Sequence, residues 1–440
     1  MTRRVLALVA AGALAFGAAP ARAYVPDKTP KRHLEAAIRR TIALPPVRPT
    51  LPGILVLRAG TPLLQINADR TFLPASLIKL ATTTTAVLKF GPDHRFATTL
   101  VGSRPVRGVT GTAWLVGGGD PTFATRAYLK EHFLPKPNDP VPVPVFPSGS
   151  PTVEQLADEI ERAGVRTIDG NLMVDDTLFD RRRTQPGWIA DYLRDDPDVG
   201  YLSALTVNEG YADLKLKTLL PDPAIAAGAL LKGALAVRGI VVTGAVRAGR
   251  APVRGTQLAR VLSPPLSEIV SYTNRFSMND AAELLLKAVG ARFGGAGTTD
   301  AGVSVVRDTL KKLGVPLAGL VMRDGSGLSL LDRASPRTIG AILSWIMTVP
   351  GKAGDVLRAS IPVAGGPGTL FKRMTRPPTV GNLRGKTGTI RHVRNMAGWV
   401  TPSDGVPLVY VALFNAVPSP GALTGPLDLI GLALAMFQGP

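Results

Sequence analysis

The sequence predicts an α+β fold, an antiparallel sheet flanked by helices and interrupted by inserted, strand-rich domains. Three observations carry this. Apolar runs of strand character lie near both ends of the chain, around Ile54 and around Val411. Helical patterning follows the first run and precedes the second. Between them, from about residue 86 to 261, the texture changes to many short strands divided by turns.

The elements follow in order. Residues 24–53 are polar, with prolines at 26, 30, 45, 46, 49 and 52, and a short helix is expected over Leu34 to Leu44. The apolar runs Ile54 to Leu57 and Pro62 to Asn67, split by Ala59-Gly60, suit a hairpin at a sheet edge. Pro74 then marks a helix start just before Ser76, and Leu77, Ile78, Leu80 and Ala81 give that helix an apolar, buried character. Turns in the insertion are expected at Gly91-Pro92-Asp93, Gly108, Gly117-Gly118-Gly119, Asp169-Gly170 and Gly233. Residues 134–151 are proline-rich and should run extended ahead of a helix over Val153 to Ala163. A second strand-rich unit is expected over 202–250. Helices return at Leu266 to Thr273, Met278 to Gly290 and Ala301 to Leu313, after which sheet and turn resume. Gly398 to Val400 and Leu408 to Phe414 read as strands, and Leu427 to Phe437 as a closing helix. The boundaries expected are 1–23 for a leader, 24–85 with 262–440 for one discontinuous domain, and 86–261 for an insertion of two strand-rich subdomains.

Three short motifs carry chemistry: Ser76-Leu77-Ile78-Lys79, Ser277-Met278-Asn279 and Lys386-Thr387-Gly388-Thr389. Ser76 and Lys79 fall one turn apart on the same helix face, so an amine can reach the hydroxyl it must deprotonate. Each motif alone is common. All three in this order resemble the S-x-x-K, S-D-N, K-T-G set of serine β-lactamases and penicillin-binding proteins, with Met278 in the middle position of the second. The first and second serines lie 201 residues apart (277 − 76), whereas Ser277 and Lys386 are separated by 109 (386 − 277).

With that long first gap, the chain resembles the D-Ala-D-Ala carboxypeptidase and endopeptidase family of low-molecular-mass penicillin-binding proteins that carries a large insertion (class C type). Gly117 to Thr122, Pro186-Gly187-Trp188, Asp324 to Ser329 and Gly365 to Leu370 resemble the same family, so the likeness runs from about Ile54 to the C-terminus. The resemblance implies a serine β-lactamase/transpeptidase-like domain built from 24–85 and 262–440. It also implies that the substrate is a peptidoglycan stem peptide, that β-lactam antibiotics acylate the enzyme, and that no cofactor or metal is used. Ser76 would be the nucleophile and Lys79 the base, its proton affinity lowered by burial beside Lys386. Ser277 would bridge the two lysines and relay a proton to the leaving amine, and Asn279 would hold the substrate amide carbonyl. The backbone N–H groups of Ser76 and Thr389 would face the oxyanion. Lys386, Thr387, Gly388 and Thr389 would bind substrate. Endopeptidase cleavage would use the same chemistry with another leaving amine.

Two positions depart from the family pattern. Leu330 stands where an arginine commonly follows Asp-Gly-Ser-Gly-Leu-Ser, with Arg333 or Arg391 as candidate substitutes, and Arg391 also replaces a neutral polar residue. Asp175, Asp176 and Phe179 resemble the part of the insertion that overhangs the cleft. Two other readings stay open: a β-lactamase or esterase on the same scaffold, and a non-catalytic cell-wall-binding protein. The complete motif set argues against the second.

Composition narrows the setting. Arg3-Arg4, the apolar run from Val5 to about Ala19 and Ala21-Arg22-Ala23 read as a cleaved secretory leader, so export to the periplasm, cell wall or medium is expected. Cysteine is absent, which excludes disulfides and thiol catalysis. The net charge of +19, or +16 once Arg3, Arg4 and Arg22 are removed, points to an anionic wall or membrane surface as electrostatic partner. Aromatic content of 5% argues against nucleic acid. His33, His94, His132 and His392 lack metal-ligand spacing, and Gly117-Gly118-Gly119 is not a phosphate loop because no Lys-Ser or Lys-Thr follows.

Overall fold

The computed structural model describes residues 29–133, 146–194 and 197–439. The expected leader and most of the proline-rich stretch lie outside the described residues. In chain order the first elements are α1 (Thr29–Ile42), β1 (Leu51–Arg58), β2 (Thr61–Ile66), and a 3₁₀ turn (Ala75–Ile78) that runs into α2 (Lys79–Phe90). The insertion contributes β3 (Ala97–Gly102), β4 (Val109–Thr110), β5 (Ala113–Val116), α3 (Arg126–His132), α4 (Val153–Arg162), β6 (Thr167–Ile168), β7 (Leu172–Asp175), α5 (Pro223–Ala236), β8 (Val241–Val242), β9 (Val246–Ala248) and β10 (Thr256–Leu262). The chain then returns through α6 (Leu266–Phe276), α7 (Asn279–Phe293), α8 (Thr299–Lys312), α9 (Pro336–Thr348) and α10 (Gly351–Ser360). It closes with β11 (Arg384–Ile390), β12 (Val393–Val400), β13 (Leu408–Asn415) and α11 (Thr424–Ala435).

The main sheet has the antiparallel order β11-β12-β13-β1-β2, so strands from both ends of the chain share it. Its central strands read as continuous apolar runs because both faces are covered. Alternate residues enter two cores: Leu55, Leu57, Val409, Val411 and Leu413 pack with α2, α7 and α9, whereas Ile54, Val56, Tyr410, Ala412 and Phe414 pack with α1 and α11. The strand β11, which carries Lys386 to Thr389, is the edge beside the 3₁₀ turn of Ser76.

Helices α9 and α10 occupy a region read from sequence as sheet and turn. The signal for α9 was present: Ser335 caps it by accepting the N–H of Thr338, and Pro336 sits in its first turn. The insertion also departs from expectation. Residues 202–250 hold the 14-residue helix α5, capped by Asp222, and not a second strand-rich unit. A five-stranded mixed sheet (β10-β3-β5-β7-β9) and a three-stranded parallel one (β4-β6-β8) share a single core that includes Leu115, Ile160, Ile168, Leu231 and Val242. Parallel pairing requires crossovers, and α4 and α5 supply them. The insertion is therefore one unit with a common interior.

Hydrogen bonds and an ion pair pin this unit onto α7 and onto the loop that carries Asp324. Lys287 of α7, fully buried, pairs with Asp180 and lies 6.0 Å from the Phe179 ring centroid. The indole of Trp188 donates to Asp324 at 2.9 Å, and the Gly200 N–H donates to Asp280 at 2.7 Å.

Helix α2 contains four consecutive buried threonines. Thr82 and Thr83 donate to the carbonyls of Gly325 and Lys79, at 2.9 and 2.7 Å, but the buried hydroxyls of Thr84 and Thr85 have no partner. Thr84→Val, which keeps shape and removes an unsatisfied oxygen, is expected to raise stability by about 1 kcal/mol. A lower denaturation midpoint for that variant would refute the assignment.

Candidate active site

The turn that carries Ser76 is held under tension. Ala75 adopts φ +49°, a left-handed conformation unfavourable for alanine, and is fully buried. Asn395 of β12 donates to the carbonyls of Leu73 and Pro74, both at 3.0 Å, while Asn415 of β13 accepts the Leu73 N–H at 2.7 Å. Two asparagines on adjacent strands thus sew the turn to the sheet. Gly388 lets β11 come alongside, since a Cβ there would lie 2.9 Å from the Pro74 carbonyl.

Lys79, one turn on, is completely buried and donates to Ser76 Oγ (2.9 Å), Asn279 Oδ1 (2.7 Å) and the Ser326 carbonyl (2.6 Å). Lys386 Nζ, also completely buried, donates to Ser277 Oγ and to the Thr387 carbonyl, both at 2.8 Å. Ser277 ends α6 in the left-handed region (φ +64°), which turns the chain so that Asn279 opens α7 beside it. The three motifs converge on one cleft of about 320 Å³, lined by Ser76, Ser277, Asn279 and Thr389 with Tyr192, Asp198, Leu328, Ile390 and Arg391.

The backbone donors can be placed from strand alternation. The Gly385 N–H leaves the free edge of β11 to reach the Pro362 carbonyl at 2.9 Å. By the two-residue period, the N–H groups of Thr387 and Thr389 leave the same edge. The Ser76 N–H belongs to the first residues of its turn, which have no intrahelical acceptor.

Burial sets the electrostatics. It lowers the proton affinity of Lys79 to a pKa of about 8, against the opposing pull of Asp324, Glu283, Asp198 and Asp280. Burial and the neighbouring charge of Lys79 push Lys386 well below the ordinary lysine range. Burial and Asp324 raise Glu283 to about 8. A lysine that deprotonates near 8 suits a base that works near neutrality.

Several sequence expectations change. Among the described residues Ser277 Oγ takes its bond from Lys386, and the contact expected between it and Lys79 is made by Asn279. The Asn279 amide does not point free into the cleft, because its Nδ2 donates to the Asp198 carbonyl at 2.8 Å. Arg333 is turned onto the carbonyls of Leu330 and Asp332, at 2.9 and 2.7 Å, which leaves Arg391 as the cleft arginine. Asp175, Asp176 and Phe179 do not overhang the cleft: Asp175 caps Thr177 and takes the Ala251 N–H, Asp176 pairs with Arg183 at 2.7 Å, and Phe179 is core. The insertion reaches the cleft through Tyr192 and Asp198 instead. Sequence reasoning missed both, and Glu283, because no local spacing marks a contact made across more than 40 residues. His392 hydrogen-bonds the Val417 carbonyl at 3.0 Å and does not line the cleft.

A family model described as D-Ala-D-Ala carboxypeptidase 3 (S13) family matches residues 34–220 and 206–425. A D-alanyl-D-alanine carboxypeptidase from Actinomadura sp. (strain R39) is 30% identical over 526 residues, covering 99% of this chain and 91% of the relative. The carboxypeptidase DacB of Mycolicibacterium smegmatis is 27% identical over 408 residues, covering 91% of this chain and 83% of that one. Among solved structures, penicillin binding protein 4 of Haemophilus influenzae superposes with a TM-score of 0.74 at 22% identity, over 90% of this chain and 97% of its own. A predatory peptidoglycan endopeptidase from Bdellovibrio bacteriovorus gives 0.52 at 16% identity, over 88% and 93%. The two structural likenesses concern the fold.

Proposed function

Because the chain belongs to the D-Ala-D-Ala carboxypeptidase 3 (S13) family, we propose that it is a serine D-Ala-D-Ala carboxypeptidase acting on peptidoglycan stem peptides through an acyl-Ser76 intermediate. One observation carries the serine mechanism: Lys79 Nζ, fully buried with its pKa lowered to about 8, lies 2.9 Å from Ser76 Oγ. Neutral Lys79 takes the Ser76 proton as Oγ attacks the carbonyl carbon of the penultimate D-alanine. The N–H groups of Ser76 and Thr389 receive the oxyanion, and the C–N bond then breaks. The proton taken by Lys79 goes to the departing amine of the terminal D-alanine, with the Ser277 hydroxyl, which lines the cleft and is held by Lys386 Nζ at 2.8 Å, as the proposed last relay to that amine. Water next attacks the ester, returns a proton to Ser76 and releases the shortened peptide. Lys386, Thr387, Gly388, Thr389 and Arg391 form the side that meets the substrate carboxylate. Cleavage of a crosslink differs only in the leaving amine, so endopeptidase action is available to the same site.

β-Lactams, which present a strained amide in place of the dipeptide, should acylate Ser76. Export by the leader-like segment 1–23 belongs to the same proposal, and among the described residues no helix is long and apolar enough to cross a membrane. The test is labelled penicillin with the wild-type protein and Ser76→Ala, followed by mass-spectrometric mapping. A stable adduct confined to Ser76 and lost in the variant is expected. Fast turnover without an adduct would favour a β-lactamase, and no reaction would favour a non-catalytic wall-binding protein.

A further inference from the structure

Within the reading of Ser76 as nucleophile and Lys79 as base, a buried carboxyl outside the three motifs decides where the base points. A lysine ammonium carries three N–H donors, and Lys79 uses all three, on Ser326 O, Asn279 Oδ1 and Ser76 Oγ. Once neutral it has two N–H groups and one lone pair. It can accept the Ser76 proton only if the lone pair takes the third direction. The Ser326 carbonyl and Asn279 Oδ1 accept but cannot donate, so they hold the two N–H groups and leave the lone pair facing Ser76.

Each of these acceptors is itself locked. The Asn279 amide cannot flip without losing the bond from its Nδ2 to the Asp198 carbonyl. The Ser326 carbonyl is aimed by Glu283 of α7, whose Oε1 accepts the N–H groups of Gly325 (2.9 Å) and Ser326 (2.8 Å). Asp324 then holds the second half of that loop through the N–H groups of Gly327 and Ser329, both at 2.7 Å. Glu283 is fully buried and its Oε2 has no partner. A glutamate kept in such a place does nothing for solubility, and its useful atom is the oxygen that takes two N–H groups at once.

We propose that Glu283 is a positioning residue for acylation: by clamping the Gly325 and Ser326 amides it aims the Ser326 carbonyl at Lys79, and so directs the lone pair of the base onto Ser76. The role depends on reach, not on charge. Burial and Asp324 push the Glu283 carboxyl toward its protonated form near neutrality, so an amide in its place removes little charge from the ionisable groups around it, Asp324, Asp332 and Lys79.

Two substitutions separate reach from charge. Glu283→Gln keeps an oxygen at the same distance without ionising, whereas Glu283→Asp keeps a carboxyl but withdraws it by one methylene. Second-order acylation by labelled penicillin would be measured from pH 5 to 10, per titrated site, alongside the melting temperature. Glu283→Gln is expected within about threefold of wild type, with an acid limb displaced to lower pH by no more than the loss of the Glu283 charge that raises Lys79. Glu283→Asp is expected to be slower on the order of 100-fold, the loss typical of a misplacement near 1 Å. Its acid limb should move to lower pH, because protonated Lys79 loses an acceptor. A merely structural role would lower the melting temperature or the titre without moving the limb. If Glu283→Asp fails to fold, Glu283→Leu fills the volume without an acceptor and carries the same expectation. Wild-type rates and limb for the shortened or apolar variant, or a loss in Glu283→Gln equal to theirs, would overturn the proposal. Absence of any Ser76 adduct in the wild type would instead refute the underlying serine mechanism.

Discussion

Replacing Lys79 by alanine or arginine is expected to slow acylation of Ser76 by penicillin on the order of 10³-fold, within the range assigned to a positioned general base. Alanine removes the base and opens a cavity beside Ser76. Arginine keeps the positive charge, but a guanidinium does not lose its proton at any working pH and cannot accept one from Ser76. The charge alone should therefore rescue nothing. The wild-type rate has a matching pH dependence. Only neutral Lys79 accepts a proton, so acylation should rise with pH through about 8, the value to which burial lowers this amine. The check is a stopped-flow acylation series from pH 5 to 10, and arginine at this position acylating at the wild-type rate would end the assignment of Lys79 as base.

The second large effect comes from a residue with no side chain. Gly327 adopts φ +86°, and a Cβ built on it would lie 1.9 Å from the Ala75 carbonyl and 3.0 Å from the Ser76 nitrogen. Those are the backbone atoms of the nucleophile turn, and neither can swing aside as a flexible side chain would. Gly327→Ala must therefore push the 324–329 loop away from Ser76. That displaces the Ser326 carbonyl from Lys79 and the Ser76 N–H from the oxyanion together. A loss of acylation of 100-fold or more is expected, with a lower melting temperature. Gly381→Ala serves as the control, since Gly381 has φ +71° and a Cβ added there would meet nothing within 4 Å. It should pay only the conformational cost of the left-handed region, about 1 kcal/mol, and acylate normally. Equal acylation rates for the two variants would refute the close-approach argument.

Much of the fold was legible locally. The β1–β2 hairpin, the helix after Pro74, α4, α6, α7, α8 and the last two strands all show in the spacing of apolar residues, because burial on one face or both imposes a period. Helix α9 was missed although Ser335-Pro336 marks its start, since the following residues mix glycine, threonine and apolar side chains without a clear stripe. The insertion was misjudged for another reason. Apart from β3 and β10, its strands have only two to four residues, too few to show a period, and its parallel pairing depends on crossovers between segments about 60 to 75 residues apart.

Three motifs legible in the sequence hold the eight candidate site residues, their order, and the chemistry that a serine one turn before a lysine makes available. Local spacing suffices for that, because Ser76 and Lys79 share a helix and Lys386 to Thr389 share a strand. Only the tertiary structure decided how these groups are used: that Lys79 bonds Asn279 and the Ser326 carbonyl and not Ser277, that Asp198 and Tyr192 form the insertion's wall of the cleft, and that Glu283 braces the base. Each of those contacts joins residues remote in the chain. Their effect on proton affinity comes from removing charges from water, a consequence of the packed fold that no single motif contains.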